Sequence, residues 1–305
     1  MADLHTLAGF KTNTTYIHGL QSLTASYGTR EVTAGGDGTV YPTFAAIMSQ
    51  SPRLTWSTVA VKTALDAIGV TGTAITSSAT GVFYFRKIDG DTGLPATGSV
   101  HRTATLNMGM IVPSRLTMSQ GSVATISYDV YVAYDGSHNP IIHGTSAALE
   151  TDVNLSAAFT QGTFDLNGSI LDGVQSVTID FGINVQQLSS DGDVWPTKLH
   201  VASIAPNVRV QLTDSTANIA TLSALGTGSA STDSVAYLQK LDDNGNRVAA
   251  ATEEHISFTF EDWLAVADTD AASTGGIYTS SFRLIPAKAT NAIIVIDTTA
   301  AMATS

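Results

Sequence analysis

The sequence predicts a mostly β protein made of two similar β-sandwich or half-barrel domains in tandem, each with one short α-helix. Three observations lead to that fold class. The chain repeats itself. Runs rich in Val, Ile, Thr, Tyr and Phe recur between Gly, Asp, Asn and Ser punctuation, and one segment per half switches to helical spacing.

The repeat is plain in the residues. Gly19-Leu-Gln-Ser-Leu-Thr24 returns 154 positions later as Gly173-Val-Gln-Ser-Val-Thr178. The same shift lays Asp37-Gly-Thr-Val-Tyr-Pro-Thr43 on Asp191-Gly-Asp-Val-Trp-Pro-Thr197. Between 19 and 43 the match needs no gap, and ten of 25 positions are identical, too many for coincidence. Further on, Val82–Asp89 matches Val235–Asp242 at a shift of 153, and His101, Thr125 and Tyr128 fall on His255, Thr279 and Phe282 at 154. Such small changes of shift are loop-length differences. A first domain is therefore expected over 1–150 and a second over 151–305, each large enough for its own core.

In chain order, strands are expected near 20–28, 53–58, 82–88, 101–111 and 123–133. In the second half they are expected near 174–183, 206–213, 235–242, 254–262, 277–286 and 292–298. Antiparallel hairpins are their simplest connection. Segment 29–52 and its counterpart 183–205 carry little strand signal and read as long loops around the Asp-Gly-x-Val-aromatic-Pro turn. Loops of that length often serve as interaction arms. Asp37, Gly38, Tyr41 and Pro42, with Asp191, Gly192, Trp195 and Pro196, are thus the candidate subunit-interface residues. A plain turn is the competing reading, since Asp-Gly turns tightly and Pro ends strand pairing. A helix of about three turns is expected after Ser57-Thr58, where Val61, Ala64, Leu65 and Ile68 share a face and Gly69 closes it. After Asp214-Ser215, the residues Ile219, Leu222 and Leu225 repeat the signal, closed by Gly226.

Composition narrows the function. Charged residues make up only 13% of the chain, about half of the ~25% usual in soluble domains. A surface so poor in charge suits contact with neighbours, although Thr/Ser/Gly surfaces also occur on secreted adhesins. The net charge is −12 and no Lys/Arg cluster exists, so a protein that grips nucleic-acid phosphates is excluded. An acidic wall can instead guide a polyanion by repelling it, or simply aid solubility. With no cysteine there is neither a disulfide framework nor a thiolate metal site. No export signal heads the chain and no apolar run is long enough to span a bilayer. Synthesis in a cytoplasm and no membrane anchor are therefore expected.

The chain is not read as an enzyme, and no catalytic, cofactor or metal site is expected. Asp89-Gly-Asp-Thr-Gly93 and Asp242-Asp-Asn-Gly-Asn246 invite a calcium reading, but they occupy equivalent places at strand ends and neither has the terminal Glu. They read as turns. The seven histidines form neither His-x-His nor His-Glu-x-x-His. His101 and His255 recur with the repeat and read as packing. Trp56, Trp195 and Trp263 read as core or interface residues more than as a sugar-stacking platform.

Together, the Gly-Leu/Val-Gln-Ser strand, the loop with Asp-Gly-x-Val-aromatic-Pro, and Ser51-Pro-Arg-Leu-Thr-Trp56 leading into a helix resemble the major tail tube proteins of tailed bacteriophages. Pro206 and Asn207-Val-Arg-Val-Gln-Leu212 fill the same place in the second copy. The resemblance implies a virion structural protein whose strands join around a ring into an inner barrel. A duplicated subunit would then form threefold, pseudo-hexameric rings that stack, with other tail proteins at the ends. DNA would pass transiently through an acidic lumen. A tandem β-sandwich adhesin or carbohydrate-binding module, and a capsid decoration or fibre protein, remain the alternatives.

Overall fold

The computed structural model describes residues 4–36, 41–149, 157–190, 192–213, 232–272, 274, 277–286 and 293–304. The first half begins with β1 (Leu4–Thr12), β2 (Thr15–Ile17), β3 (Leu20–Ser26), β4 (Arg30–Ala34), β5 (Phe44–Ser49) and β6 (Arg53–Thr58). Helix α1 (Val61–Ile68) follows, then β7 (Thr73–Ile75), β8 (Gly81–Ile88), β9 (His101–Leu106), β10 (Gly109–Ser119), β11 (Thr125–Val132) and β12 (Ile141–Ala147). The second half opens with β13 (Ala158–Leu166), β14 (Ser169–Ile170), β15 (Val174–Asp180), β16 (Ile183–Leu188), β17 (Lys198–Ile204) and β18 (Asn207–Thr213). It closes with β19 (Thr232–Leu241), β20 (His255–Ala271), β21 (Thr279–Pro286) and β22 (Val295–Ala300). The protein is mostly β, with large antiparallel sheets.

A five-stranded sheet runs β12-β9-β8-β1-β2, and a larger one runs β14-β13-β19-β20-β21-β18-β15-β10-β11-β6-β3. The pairing registers recur at the spacing seen in the sequence. Strand β3 meets β6 through Leu23↔Trp56 and Thr24↔Thr55 with an irregularity after Leu20, and β15 meets β18 through Val177↔Val210 and Thr178↔Arg209 with one after Val174. Similarly, β10 meets β11 through Ile111↔Val130 with a bulge after Pro113. Its counterpart is Ala265↔Leu284 between β20 and β21, bulged after Ala267.

Alternation explains which faces are inside. In β6 the residues Leu54, Trp56 and Thr58 are buried while Arg53 and Thr55 face out, and β18 repeats the pattern with Val208, Val210 and Leu212 inside. Facing layers meet through aromatic rings. Trp56 stacks on Tyr128 at 4.7 Å and meets Phe10 of the other sheet at 5.1 Å, while Phe164 packs edge-on against Phe282 at 5.9 Å. One contiguous cluster of buried residues runs through both halves, so each half does not keep a separate core. The link is at β10 and β15, where Leu116, Met118, Val177 and Ile179 are all buried.

Several expectations are corrected. The segments read as long loops are hairpin arms, β4–β5 and β16–β17. A two-stranded ribbon with both faces largely exposed has no need of apolar alternation, so Glu31, Thr33, Gln186 and Gln187 hide the strands. The run expected at 101–111 is two strands in separate sheets, whereas its counterpart is the unbroken 17-residue β20. Strands β1, β2, β7, β12, β13 and β14 lie outside the expected strand segments. Helix α1 has eight residues, just over two turns. It buries Val61, Ala64, Leu65 and Ile68, and ends at Gly69 (φ 74°), whose N–H donates to the Leu65 carbonyl. Its N-cap is Ala60; the Thr58 hydroxyl accepts the Ala60 N–H from just outside the helix. The second expected helix, 214–226, lies outside the described residues, as does the expected domain boundary at 150–151.

The two repeated histidines do the same structural work. Nδ1 of His101 accepts the Lys87 N–H at 3.0 Å and Nδ1 of His255 accepts the Lys240 N–H at 3.1 Å, both from buried positions. Burial first, then the nearby Arg86 and His5, push the His101 pKa below its ordinary value. The unfolded chain therefore binds more protons than the folded one between the lowered value and about 6.5. Stability should be full above that pH and fall as pH drops below it. Urea midpoints between pH 7.5 and 5 test this, and the decline should be shallower in His101→Gln.

Candidate assembly interface

The halves are joined by a sheet seam and an arm. At the seam β10 pairs with β15 through Arg115↔Asp180, Leu116↔Ile179 and Thr117↔Thr178. Inward residues are apolar and outward ones are polar, so the seam continues both the core and the solvent face of the sheet. The β16–β17 arm then reaches back over the first half. Val185 packs against Val112 and Tyr131, and the Gln187 side-chain amide donates to the carbonyls of Pro52 (3.1 Å) and Val132 (3.0 Å).

The turn of that arm holds the candidate residues. The Trp195 indole N–H donates to Oε1 of Gln50 at 2.9 Å, and its ring lies 5.2 Å from that of Tyr134. Tyr134 N–H donates to the Pro196 carbonyl, and Gln50 N–H to the Val194 carbonyl, both at 2.7 Å. Pro196 is buried and Trp195 half-buried, while Gly192 is exposed at φ 81°. Among the described residues of the matching arm in the first half, Tyr41 is 80% exposed and Pro42 is exposed too. Asp37, Gly38 and Asp191 lie outside the described residues. The structure thus brings Trp195 and Pro196 to the joint between halves and leaves Tyr41 and Pro42 facing solvent. Sequence reasoning missed Gln50, Gln187 and Tyr134. Gln50 and Gln187 have Ile204 and Thr33 at the matching places, so the repeat could not flag them.

The sheet face away from the core is rich in hydroxyl groups, and three of its arginines are paired with aspartates; Arg283, directly across from Arg209 in β21, is exposed with no acidic partner among the described residues. Arg53 pairs with Asp129 at 2.6 Å, Arg209 with Asp268 at 3.2 Å and Arg115 with Asp180 at 3.4 Å. Asp129 also accepts the Thr55 hydroxyl at 2.7 Å.

Elsewhere the polar clusters are structural. Asp89 accepts the N–H groups of Asp91 and Thr92, and Asp242 those of Asn244 and Asn246. These bonds, with the Thr92 N–H foremost for Asp89 and the Asn246 N–H for Asp242, hold both carboxyls below their ordinary pKa. His138 and the local N–H groups likewise bring Asp135 to about 2. Among the described residues no group of three or more His, Cys, Asp or Glu is placed to hold a metal ion. His255 has both ring nitrogens engaged, with Lys240 N–H and the Ala249 carbonyl. An open cleft of about 500 Å³ is lined by His5, Arg102 and His143, whose counterparts in the second half are Phe159, Ile256 and Ile296. Trp56 and Trp263 are fully buried in the core. No helix among the described residues is long and apolar enough to cross a membrane. No protein-family model and no curated protein matches this chain.

Proposed function

We propose that this chain is a non-enzymatic virion structural protein, a tail tube subunit that closes into rings of three chains and stacks into a conduit for DNA. The observation that carries the reading is the large sheet: two sets of strands with the same registers, joined edge to edge inside one chain, with sheet edges left open at β3 and along residues 269–271. Open edges invite uncontrolled pairing, and closing a ring removes them. Rings meeting head to tail make a heterologous contact that grows a filament. The solvent face of the sheet supports passage of a polyanion, because Arg53, Arg115 and Arg209 are each matched by an aspartate, Arg283 is left as a single cation unpaired among the described residues, and hydroxyl groups are frequent around them. In this reading the protein is made in the host cytoplasm, and its partners are further copies of itself and the other tail proteins.

Light scattering on purified protein should give about three times the 31.7 kDa chain mass, and negative-stain images at higher concentration should show rods with a central channel. A monomer at every concentration, or trimers that never stack, would refute the tube and favour an adhesin or a decoration protein respectively.

A further inference from the structure

We propose that a second copy of this chain completes the sheet by pairing its β3 with residues 269–271 of β20, in the register that already joins β10 to β15 within the chain. The inference rests on the assembly reading above and specifies its seam. Inside the chain, Arg115, Leu116 and Thr117 pair with Asp180, Ile179 and Thr178. At the repeat spacing of 154 these become Thr269, Asp270 and Ala271 opposite Ser26, Ala25 and Thr24. Both sets are sheet edges here. Among the described residues β3 pairs only with β6, and 269–271 pair only with β21. All six residues are exposed. One molecule therefore carries both sides of a single antiparallel joint at opposite ends of its sheet. Repeating the internal joint between copies brings them together, and a β-edge is recognised chiefly through its backbone N–H and C=O groups.

The flanks agree. At the internal joint Ala124 N–H donates to the Phe159 carbonyl and Val123 bridges Thr160. The counterparts of Val123 and Ala124 are Ile277 and Tyr278, 76% and 38% exposed, which fall opposite His5 and Thr6 of the next copy. The internal Trp195–Gln50 contact corresponds to Tyr41 and Ile204, 80% and 42% exposed. Four apolar residues that face water in the isolated chain thus stand where the internal joint makes its contacts. Val123 stays 42% exposed at the internal joint, so contact there removes only part of this apolar surface from water, which is favourable in proportion to the area removed. Only Thr24 keeps the residue of the internal joint: the apolar pair Leu116–Ile179 becomes Asp270–Ala25 and the ion pair Arg115–Asp180 becomes Thr269–Ser26. The outer joint therefore relies on backbone pairing, and a charge on an edge strand restrains pairing with unsuitable partners.

The test uses introduced thiols, since the chain has no cysteine of its own. Oxidised Thr24→Cys/Ala271→Cys protein is expected to link between copies and to end in a closed three-chain species on non-reducing gels. Thr117→Cys/Thr178→Cys is the equivalent pair within the chain; its intramolecular link reports that such variants fold and that the geometry accepts the bond. A short bis-thiol linker run in parallel keeps disulfide strain from deciding the result. A register slip by one residue reverses the faces, so the slipped pair Ala25→Cys/Ala271→Cys should give roughly a tenth of the product or less. Equal linkage from the slipped pair, or none from the in-register pair while the control links, overturns the seam. If rods are imaged but the in-register pair stays unlinked, the seam fails and the assembly reading survives. If chains link in register without forming rings or rods, the seam stands and the tube reading fails.

Discussion

Replacing Trp56 with alanine is expected to cost about 3–5 kcal/mol, enough to unfold a marginally stable protein. The indole is fully buried, lies 4.7 Å from the Tyr128 ring, 5.1 Å from that of Phe10 and 6.2 Å from that of Phe83, and ties the two layers of the first half together. Truncation removes that area from the core and leaves a cavity that a rigid β-sandwich fills poorly. Val210 occupies the matching position in the second half, and Val210→Ala should cost only about 2 kcal/mol, at ~0.8 kcal/mol per methylene-sized group. Two companion substitutions separate packing from hydrogen bonding. The Trp56 N–H and the Tyr128 hydroxyl are both buried without a hydrogen-bond partner among the described residues. Trp56→Phe should therefore be far milder than Trp56→Ala, and Tyr128→Phe should be neutral or slightly stabilising, because a buried unsatisfied hydroxyl costs free energy. Urea midpoints followed by circular dichroism measure all four. A Tyr128→Phe loss above about 1 kcal/mol would mean that the hydroxyl has a partner after all.

The second large effect is expected at a glycine. Gly182 sits at φ 57°, and a Cβ built there would overlap the Ala205 carbonyl oxygen. Gly182→Ala combines a left-handed backbone, costing about 1–2 kcal/mol, with overpacking against backbone, costing about 1–3 kcal/mol. Its counterpart Gly28 has φ 53°, but its Cβ would stop 3.0 Å from the Ser51 carbonyl oxygen. Gly28→Ala should therefore cost little beyond the backbone strain. Both glycines lead from a sheet strand into a hairpin arm, so the losses should be matched by faster hydrogen exchange in the adjoining arm. Equal destabilisation of the two variants would show that the arm yields, contrary to this packing.

The legible parts of the fold were those where burial imposed a pattern. Leu54, Trp56 and Thr58 alternate with Arg53, Thr55 and Ser57, and Val61, Ala64, Leu65 and Ile68 trace one helical face, so β6 and α1 could be read from residue spacing. The arms could not. Arg30–Ala34 and Phe44–Ser49 pair through backbone hydrogen bonds while most of their side chains face solvent, and such strands have no compositional signature. Strand β1 contains Gly9, a residue that usually weakens a strand; there the Tyr16 ring occupies the space of a Cβ. At the joint, the repeated turn pointed to Trp195 and Pro196, but Gln187 donates to the backbone carbonyls of Pro52 and Val132 and Gln50 accepts the Trp195 indole N–H, contacts between distant residues that no local pattern encodes.

The junction of β10 with β15 is intramolecular, so it forms at an effective concentration that no encounter between free molecules matches. Lesions there will register as lost folding stability, whatever the protein concentration. In the proposed assembly, lesions at the outer edges would register only as a shifted concentration dependence. Fusing two modules into one polypeptide therefore leaves half the contacts of any closed assembly outside the control of mass action. Evolution can then tune the other half toward reversibility without endangering the monomer.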